Sequence, residues 1–103
     1  MTEATPTFIM KFTAKPGMRD ALAEQAVAGF KLAHGIDSWL VSNDAEDPDS
    51  IWVVETFTSA EAVEQHRAHQ DKDHVDAIGG LMAGPTSFTR TTVFPVAASY
   101  DLP

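Results

Sequence analysis

The segment Ile51-Trp52-Val53-Val54-Glu55-Thr56-Phe57-Thr58-Ser59-Ala60-Glu61, or IWVVETFTSAE, contains a strand pattern followed directly by a helix start. Its first seven residues are β-branched or aromatic apart from one glutamate, which is typical of a strand. The next four have the spacing of a capping box, in which Thr58 accepts from a first-turn amide and Glu61 reaches back. We therefore predict a strand and then a helix that runs to about Ile78, where Gly79-Gly80 loosens it.

The flanking segments alternate between strand and helix patterns in the same way. Strand patterns cover residues 7–13, 36–42 and about 87–96, and a helical pattern that ends at His34-Gly35 covers residues 18–33. The predicted apolar stripe of this helix comprises Met18, Leu22, Ala26, Gly29, Phe30 and Ala33. The order βαββαβ predicts a single α+β, ferredoxin-like domain over residues 1–103, with a four-stranded antiparallel sheet and two helices on one face.

The third predicted strand is apolar on both sides. Ile51, Val53 and Phe57 lie on one face, and Trp52 and Val54 lie on the other. Because both helices cover the same face of the sheet, the second apolar face needs another partner. We therefore expect a homodimer in which two sheets pack face to face into a barrel.

The composition excludes several functional classes. The 103 residues contain no cysteine, which rules out disulfides, thiolate nucleophiles and thiolate-bound metals. The formal net charge of -8 and the seven scattered Lys and Arg residues argue against nucleic acid as a partner. No glycine-rich loop opens a helix, so no nucleotide cofactor is expected, and we expect no cofactor of another kind. The chain has neither an apolar run of about 20 residues nor a signal-peptide pattern, so we expect a cytoplasmic protein without a membrane partner.

Three of the four histidines lie in the stretch EQHRAHQDKDH, residues 64–74, on the second predicted helix. At about 100° per residue, His66, Gln70 and His74 share one side of this helix, whereas His69 points towards solvent. His66 and His74 would then stand roughly 12 Å apart along the helix axis. That separation is too long for joint ligation of one ion, so no metal site is predicted.

Polar residues on the side that faces the sheet support two interpretations. In the first, His66 and His74 are hydrogen-bonded to the backbone or to Glu55 and Thr56. In the second, they enter a pocket between helix and sheet in which an imidazole transfers a proton near neutral pH. The candidate aromatic walls of this pocket are Trp39, Trp52, Phe57 and Phe88.

These features together make the chain similar to the antibiotic biosynthesis monooxygenase family of dimeric α+β barrels. The resemblance covers almost the whole chain and is carried above all by residues 51–66, in which a glutamate-containing strand precedes a Ser-Xaa-Glu-Ala helix start and, one turn later, a histidine. The resemblance implies that His66 is a pocket base or hydrogen-bond donor and that Trp52 is a pocket wall. It implies lesser substrate-binding roles for Asn43, Glu55, Gln70 and His74.

The resemblance also implies an activity, the cofactor-independent oxidation by O2 of a small aromatic hydroquinone or polyketide-like phenol. In such chemistry the deprotonated substrate supplies electrons to O2, and the protein binds, orients, deprotonates and excludes water. One alternative is a non-catalytic, small-molecule-binding or stress-associated dimer. Another is an isomerase or lyase of a small carbonyl compound that uses His66 and Glu55.

Two other kinds of relative depart from this chain in identifiable ways. Haem-degrading relatives place an asparagine in the first strand and a tryptophan on the second helix, and neither is present here. A further relative acts on a small phosphorylated sugar derivative, for which this chain offers only scattered positive charge, at Arg67 and Arg90.

Overall fold

The computed structural model describes residues 5–33 and 35–93, which form a four-stranded antiparallel sheet and three helices. The strands are β1 (Thr5–Thr13), β2 (Ile36–Asn43), β3 (Ser50–Phe57) and β4 (Ser87–Val93), and the helices are α1 (Arg19–Leu32), α2 (Ala60–Ala68) and α3 (Lys72–Leu81). The strand order is β2-β3-β1-β4. The predicted ferredoxin-like α+β fold class is confirmed, with one more helix than expected.

Two parts of the predicted pattern lie outside the described residues. β4 ends at Val93, so the expected extension to residue 96 is one of them, and His34 in the expected stop signal of α1 is the other. Within the residues that the structure describes, no helix is long and apolar enough to cross a membrane.

The core lies between the helices and one face of the sheet. Leu22 and Ala26 of α1 pack against Ile51 and Val53 of β3, and all four side chains are buried. A second buried cluster, under α2, comprises Phe8, Phe57, Ala62 and Val63. Full burial of a Leu, Ile or Phe side chain stabilises a fold by about 1.5–3 kcal/mol. These two clusters therefore hold the helices on this face.

α1 agrees with the predicted helix to within one residue at each end, but its apolar stripe is narrower. Its buried members are Leu22, Ala26 and Gly29. Met18 and Phe30 are 43% and 52% exposed, so their expected place in the buried stripe is wrong. Met18 precedes the helix as its N-cap residue, and Phe30 is rotated by about 100° from Gly29, which meets the sheet.

The second predicted helix is broken into two at residues 69–71. The side chain of Asp71 accepts a hydrogen bond from the His74 amide at 2.8 Å and so caps α3. Because aspartate is among the best N-cap residues, this cap competes with continuation of the preceding helix. α3 also runs through Gly79 and Gly80. The prediction of one helix that loosens at these glycines is therefore wrong.

α2 begins one residue later than predicted. The Ser59 hydroxyl, and not that of Thr58, accepts from a first-turn amide, that of Ala62, at 3.0 Å. Thr58 instead donates twice to the Gly35 carbonyl, from its amide at 2.9 Å and from its hydroxyl at 3.3 Å. Thr58 thus joins the end of β3 to the start of β2, and the predicted capping role of Thr58 is wrong.

The other face of the sheet is not covered by any of the three described helices. Its apolar side chains are Ile9, Leu40, Trp52 and Val54. Leu40 is 58% exposed. The Trp52 indole donates to Asp44 at 2.7 Å, and this bond, with those from the Asp47 and Glu46 amides, lowers the pKa of Asp44 to about 2. We refer to this surface as the open face.

We expect Ser59→Ala to lower the free energy of unfolding by about 1 kcal/mol, because a first-turn amide loses its acceptor. Thr58→Ala is the matched control, since it removes only an exposed 3.3 Å hydrogen bond to a carbonyl. Its loss should be smaller, about 0.5 kcal/mol. Urea denaturation of the three proteins measures both effects, and a larger loss for Thr58→Ala would contradict the assignment of the cap.

Candidate functional site

One row of paired residues crosses all four strands. Trp39 of β2 is the partner of Glu55 on β3, Glu55 is the partner of Phe8 on β1, and Phe8 is the partner of Arg90 on β4. Residues opposite each other on neighbouring strands project from the same face. Phe8 packs in one cluster with Ala62 and Val63 of α2, so this is the face that the helices cover. The row therefore places an indole, a carboxyl, a phenyl ring and a guanidinium side by side beneath the helices.

A cavity of about 730 Å³ lies above this row and the next one, between the sheet and the helices. The sheet provides an apolar floor that includes Phe8, Met10, Phe12, Val53 and Phe88. The helices and the break between them provide polar side chains, namely His66, Arg67, His69, Gln70, Asp71 and His74. Its size and its combination of apolar floor and few polar groups are those of a small-molecule site.

The most enclosed polar pair in the cavity is formed by His66 and Glu55. The His66 Nε2 atom lies 3.7 Å from Glu55 Oε1, an ion-pair distance that exceeds a normal hydrogen bond. The imidazole also contacts aromatic rings, with centroid distances of 5.3 Å to Phe57 and 6.3 Å to Trp39. The side chain of His66 remains 17% exposed and reaches the cavity. It therefore has both a carboxyl partner and access to a ligand.

Burial of Glu55 changes its proton affinity. The residue is only 5% exposed, and this burial raises the pKa of its carboxyl from the usual 4.5 to about 7. A carboxyl with such a pKa gains and loses a proton near neutrality. The pair is therefore equipped for proton transfer at neutral pH.

Gly29 allows α1 to approach the cavity closely. A Cβ atom at this position would lie 2.8 Å from His74 Nε2 and 3.3 Å from Trp39 Cζ2, so even an alanine would displace these rings. The Trp39 indole also donates to the Ala26 carbonyl of the same helix at 3.1 Å. The sequence Ala-Val-Ala-Gly in α1 thus positions both aromatic rings at the cavity wall.

Within the described part of the chain, no group of three or more histidine or carboxylate side chains is arranged to hold a metal ion. His66 and His74 both line the cavity, but from two different helices.

The family model of antibiotic biosynthesis monooxygenases matches residues 7–78. The chain belongs to this family. Among solved structures, it is similar to a protein from Chloroflexus aurantiacus J-10-fl that is provisionally named an antibiotic biosynthesis monooxygenase. That similarity has 28% identity and a TM-score of 0.73, and it covers 93% of this chain and 97% of the other.

Two further structures share the fold at lower identity. SnoaB of Streptomyces nogalater, a cofactor-independent oxygenase, is 17% identical with a TM-score of 0.71, over 94% of this chain and 100% of its own. NE2512 of Nitrosomonas europaea, of unknown function, is 19% identical with a TM-score of 0.73, over 100% of this chain and 98% of its own. Among curated proteins, no significant match is found.

Most of the site residues that the sequence suggested line the cavity of this family member. Those that line it are His66, Glu55, Gln70, His74, Trp39 and Phe88. Phe57 is fully buried behind the His66 ring and supports it without lining the cavity. Their substrate-binding and catalytic roles stay predictions.

Two candidate residues lie elsewhere. Trp52 is on the open face, because it is an odd number of positions from Glu55, so its expected place in a wall of this cavity is wrong. Asn43 is exposed at the end of β2 and is not among the lining residues. Neither residue is positioned to contact a ligand in the cavity of this chain.

Several lining residues escaped the sequence analysis. Phe8, Met10 and Phe12 alternate along the strand predicted over residues 7–13, but this alternation does not reveal that their face is the floor of a cavity. His69 is exposed, as expected, and it also lines the cavity mouth, because the helix breaks beside it. The cap at Asp71 is the signal in the sequence that would have located the break.

We expect the buried carboxyl of Glu55 to make stability depend on pH. Between pH 4.5 and 7 the folded state, with its raised pKa, binds more protons than the unfolded state, so the free energy of unfolding falls as pH rises. This contribution amounts to about 2 to 3 kcal/mol across the window. In Glu55→Gln this pH dependence should disappear. The free energy of unfolding of the variant minus that of the parent should therefore be more positive at pH 8 than at pH 4.5.

Urea denaturation at both pH values measures this difference. The measured quantity is the difference between the two proteins at each pH, because other titratable groups contribute to the profile of each protein alone. Glu24→Gln, an exposed carboxylate on α1, is the matched control and should follow the parent. Parallel profiles for Glu55→Gln and the parent would contradict the raised pKa.

Proposed function

We propose that this protein is a cofactor-independent monooxygenase that oxidises a small phenolic or hydroquinone-type aromatic compound with O2. The observation that carries the proposal is the pair of His66 and buried Glu55, 3.7 Å apart, at the edge of an apolar-floored cavity. Membership of the antibiotic biosynthesis monooxygenase family supports the reaction class. SnoaB, described as a cofactor-independent oxygenase, is an example of the same fold with that activity.

The chain's own residues have a limited task in this reaction. The His66 imidazole removes the proton from the phenol. Glu55 then stabilises the resulting imidazolium as a carboxylate or accepts the proton from it. The phenolate then transfers electrons to O2. One oxygen atom becomes the new carbonyl of a quinone and the other leaves as water, so the phenol supplies all four electrons and no external reductant is needed.

The apolar floor favours this step in two ways. Phe8, Met10 and Phe88 offer a surface on which an aromatic ring packs at a fixed distance from His66. They also keep water from the reactive phenolate. Position and exclusion of water are the contributions that a protein makes when the substrate itself reduces O2.

The same pair favours a second candidate function, an isomerase that moves a proton on a small carbonyl compound. Such a reaction needs an acid and a base near neutrality, which Glu55 and His66 supply. The two functions differ in their need for O2. Deuterium incorporation into a carbonyl substrate under nitrogen would identify the isomerase.

We expect protein-dependent O2 uptake with a panel of hydroquinones and polycyclic phenols after treatment with a chelator. His66→Ala should reduce the rate about 100-fold, which is typical for loss of a general base. Glu64→Ala, on the exposed side of the same helix, is the matched control and should keep the parental rate. An oxygen electrode measures the rate after subtraction of autoxidation.

Equal uptake by His66→Ala and the parent would exclude His66 as the base. The absence of uptake with every compound in the panel would contradict the monooxygenase and leave the isomerase and the non-catalytic binding dimer.

The open face supports a second proposal, a homodimer in which two sheets pack face to face. Leu40 is largely exposed on this face, next to the partly buried Val54 and Trp52, and none of the described helices covers them. Apolar surface of this kind is a usual site of protein association. The dimer would leave the cavity of each protomer on the outer, helical side of its sheet.

We expect light scattering at micromolar concentration to give twice the chain mass. Leu40→Glu places a charge on the open face and should shift the mass to that of one chain. Val27→Glu is the matched control, because Val27 is similarly exposed, at 56%, but lies on α1. A parental protein with the mass of one chain would contradict the dimer.

A further inference from the structure

The positively charged side chains of this acidic chain differ in whether they form ion pairs or hydrogen bonds. The cations with an ion pair or a hydrogen bond to a carbonyl are Lys11, Lys15, Arg19 and Lys72. By contrast, no carboxylate oxygen of the described residues lies within 4.0 Å of the guanidinium nitrogens of Arg67 or Arg90. Both of these arginines line the cavity. The cavity therefore contains positive charge that the described part of the protein does not neutralise by a direct ion pair.

Arg90 is held at the aromatic side of the cavity. Its guanidinium carbon lies 5.9 Å from the ring centroid of Phe8 and 6.0 Å from that of Phe88, and the two rings are 5.0 Å apart. Contact with ring faces orients a guanidinium group without using its N–H donors. Those donors are available to a ligand that packs against the same two rings.

Arg67 approaches the cavity from the opposite layer. It belongs to α2, above the sheet, whereas Arg90 belongs to β4 within the sheet. The planar guanidinium group matches the two oxygens of a carboxylate and forms charge-assisted hydrogen bonds with it. The cavity thus contains two groups, from different layers, that are suited to bind an anion.

The carboxyl groups of the cavity offset this charge only in part. Asp71 contributes one carboxylate, whose charge is not removed by the hydrogen bond that it accepts from the neutral His74 amide as the cap of α3. Glu55 is separated from Arg90 in the sheet by Phe8, and burial favours its neutral form below about pH 7. A singly charged ligand suits this balance better than a doubly charged one.

We infer that the natural ligand of the cavity is an aromatic carboxylate, whose ring packs on Phe8 and Phe88 and whose carboxylate is bound by Arg67 and Arg90. The inference deepens the proposed function, on which it rests for the phenolic nature of the ring. It assigns the two arginines to substrate selection and leaves proton transfer to His66.

The test compares 2,5-dihydroxybenzoate with the neutral 2,5-dihydroxybenzamide by isothermal titration calorimetry under nitrogen at pH 7. The acid should bind the parent protein at least about tenfold more tightly than the amide, and the preference should shrink in high salt. Arg67→Gln and Arg90→Gln should each weaken binding of the acid about tenfold and leave the amide unchanged. Lys31→Gln, an exposed cation on α1 outside the cavity, is the matched control and should bind like the parent.

Three outcomes would overturn the inference. The first is equal binding of acid and amide by the parent protein, a comparison that needs no variant. The second is a loss of affinity in Lys31→Gln as large as in Arg90→Gln, which would indicate only a change in overall charge. The third is tighter binding of phenyl phosphate than of the acid, which would replace a carboxylate by a phosphate ligand.

Failure of this inference is distinguishable from failure of the monooxygenase proposal. Selective binding of the acid without O2 uptake would support the inference and contradict the oxidation. O2 uptake with neutral phenols, together with equal binding of acid and amide, would do the opposite. The chain's net charge of -8 repels anions at long range, so any preference for the acid must come from local groups.

Discussion

The burial of one carboxyl group in the middle of the sheet constrains the rest of the site. Glu55 lies on β3, between two other strands and beneath the helices, where an apolar residue would be expected. A buried carboxylate is costly without compensation, so its surroundings must either supply a partner or keep it protonated. Here both occur, through His66 at 3.7 Å and through a raised pKa. The register of the sheet then determines which rings surround this pair, because Trp39 and Phe8 occupy the same row.

Much of the fold was predictable from local patterns, since alternation along a strand depends only on neighbouring residues. The four strands, their order along the chain and the two faces of β3 follow from this alternation. The break in the second helix did not, because it depends on a competition between helix continuation and the cap at Asp71. The periodicity of apolar residues carries no information about capping and therefore does not predict the break.

The candidate site was predictable to a similar extent and for related reasons. His66 and Glu55 were identified together, and the structure places them together. Trp52 was named as a wall because it is aromatic and because of the family resemblance, although alternation already placed it on the face opposite Phe57. Where the two kinds of argument disagreed, the geometric one was correct. The arginines gained significance only in three dimensions, since their proximity to Phe8 and Phe88 depends on the pairing of β1 with β4.

The structure separates the tasks of the cavity between its two layers. The floor is built from paired strands, whose register fixes Glu55 and the aromatic rings, so this layer suits chemistry that requires exact distances. Residues 67–75 on the roof surround a helix break held by a single exposed cap, and several of them line the mouth. Local opening of such a segment requires less free energy than opening of the sheet. If the cavity binds the proposed aromatic carboxylate, this helical layer is the one through which we expect the ligand to enter, and Arg67 on it would meet the carboxylate before the ring reaches His66.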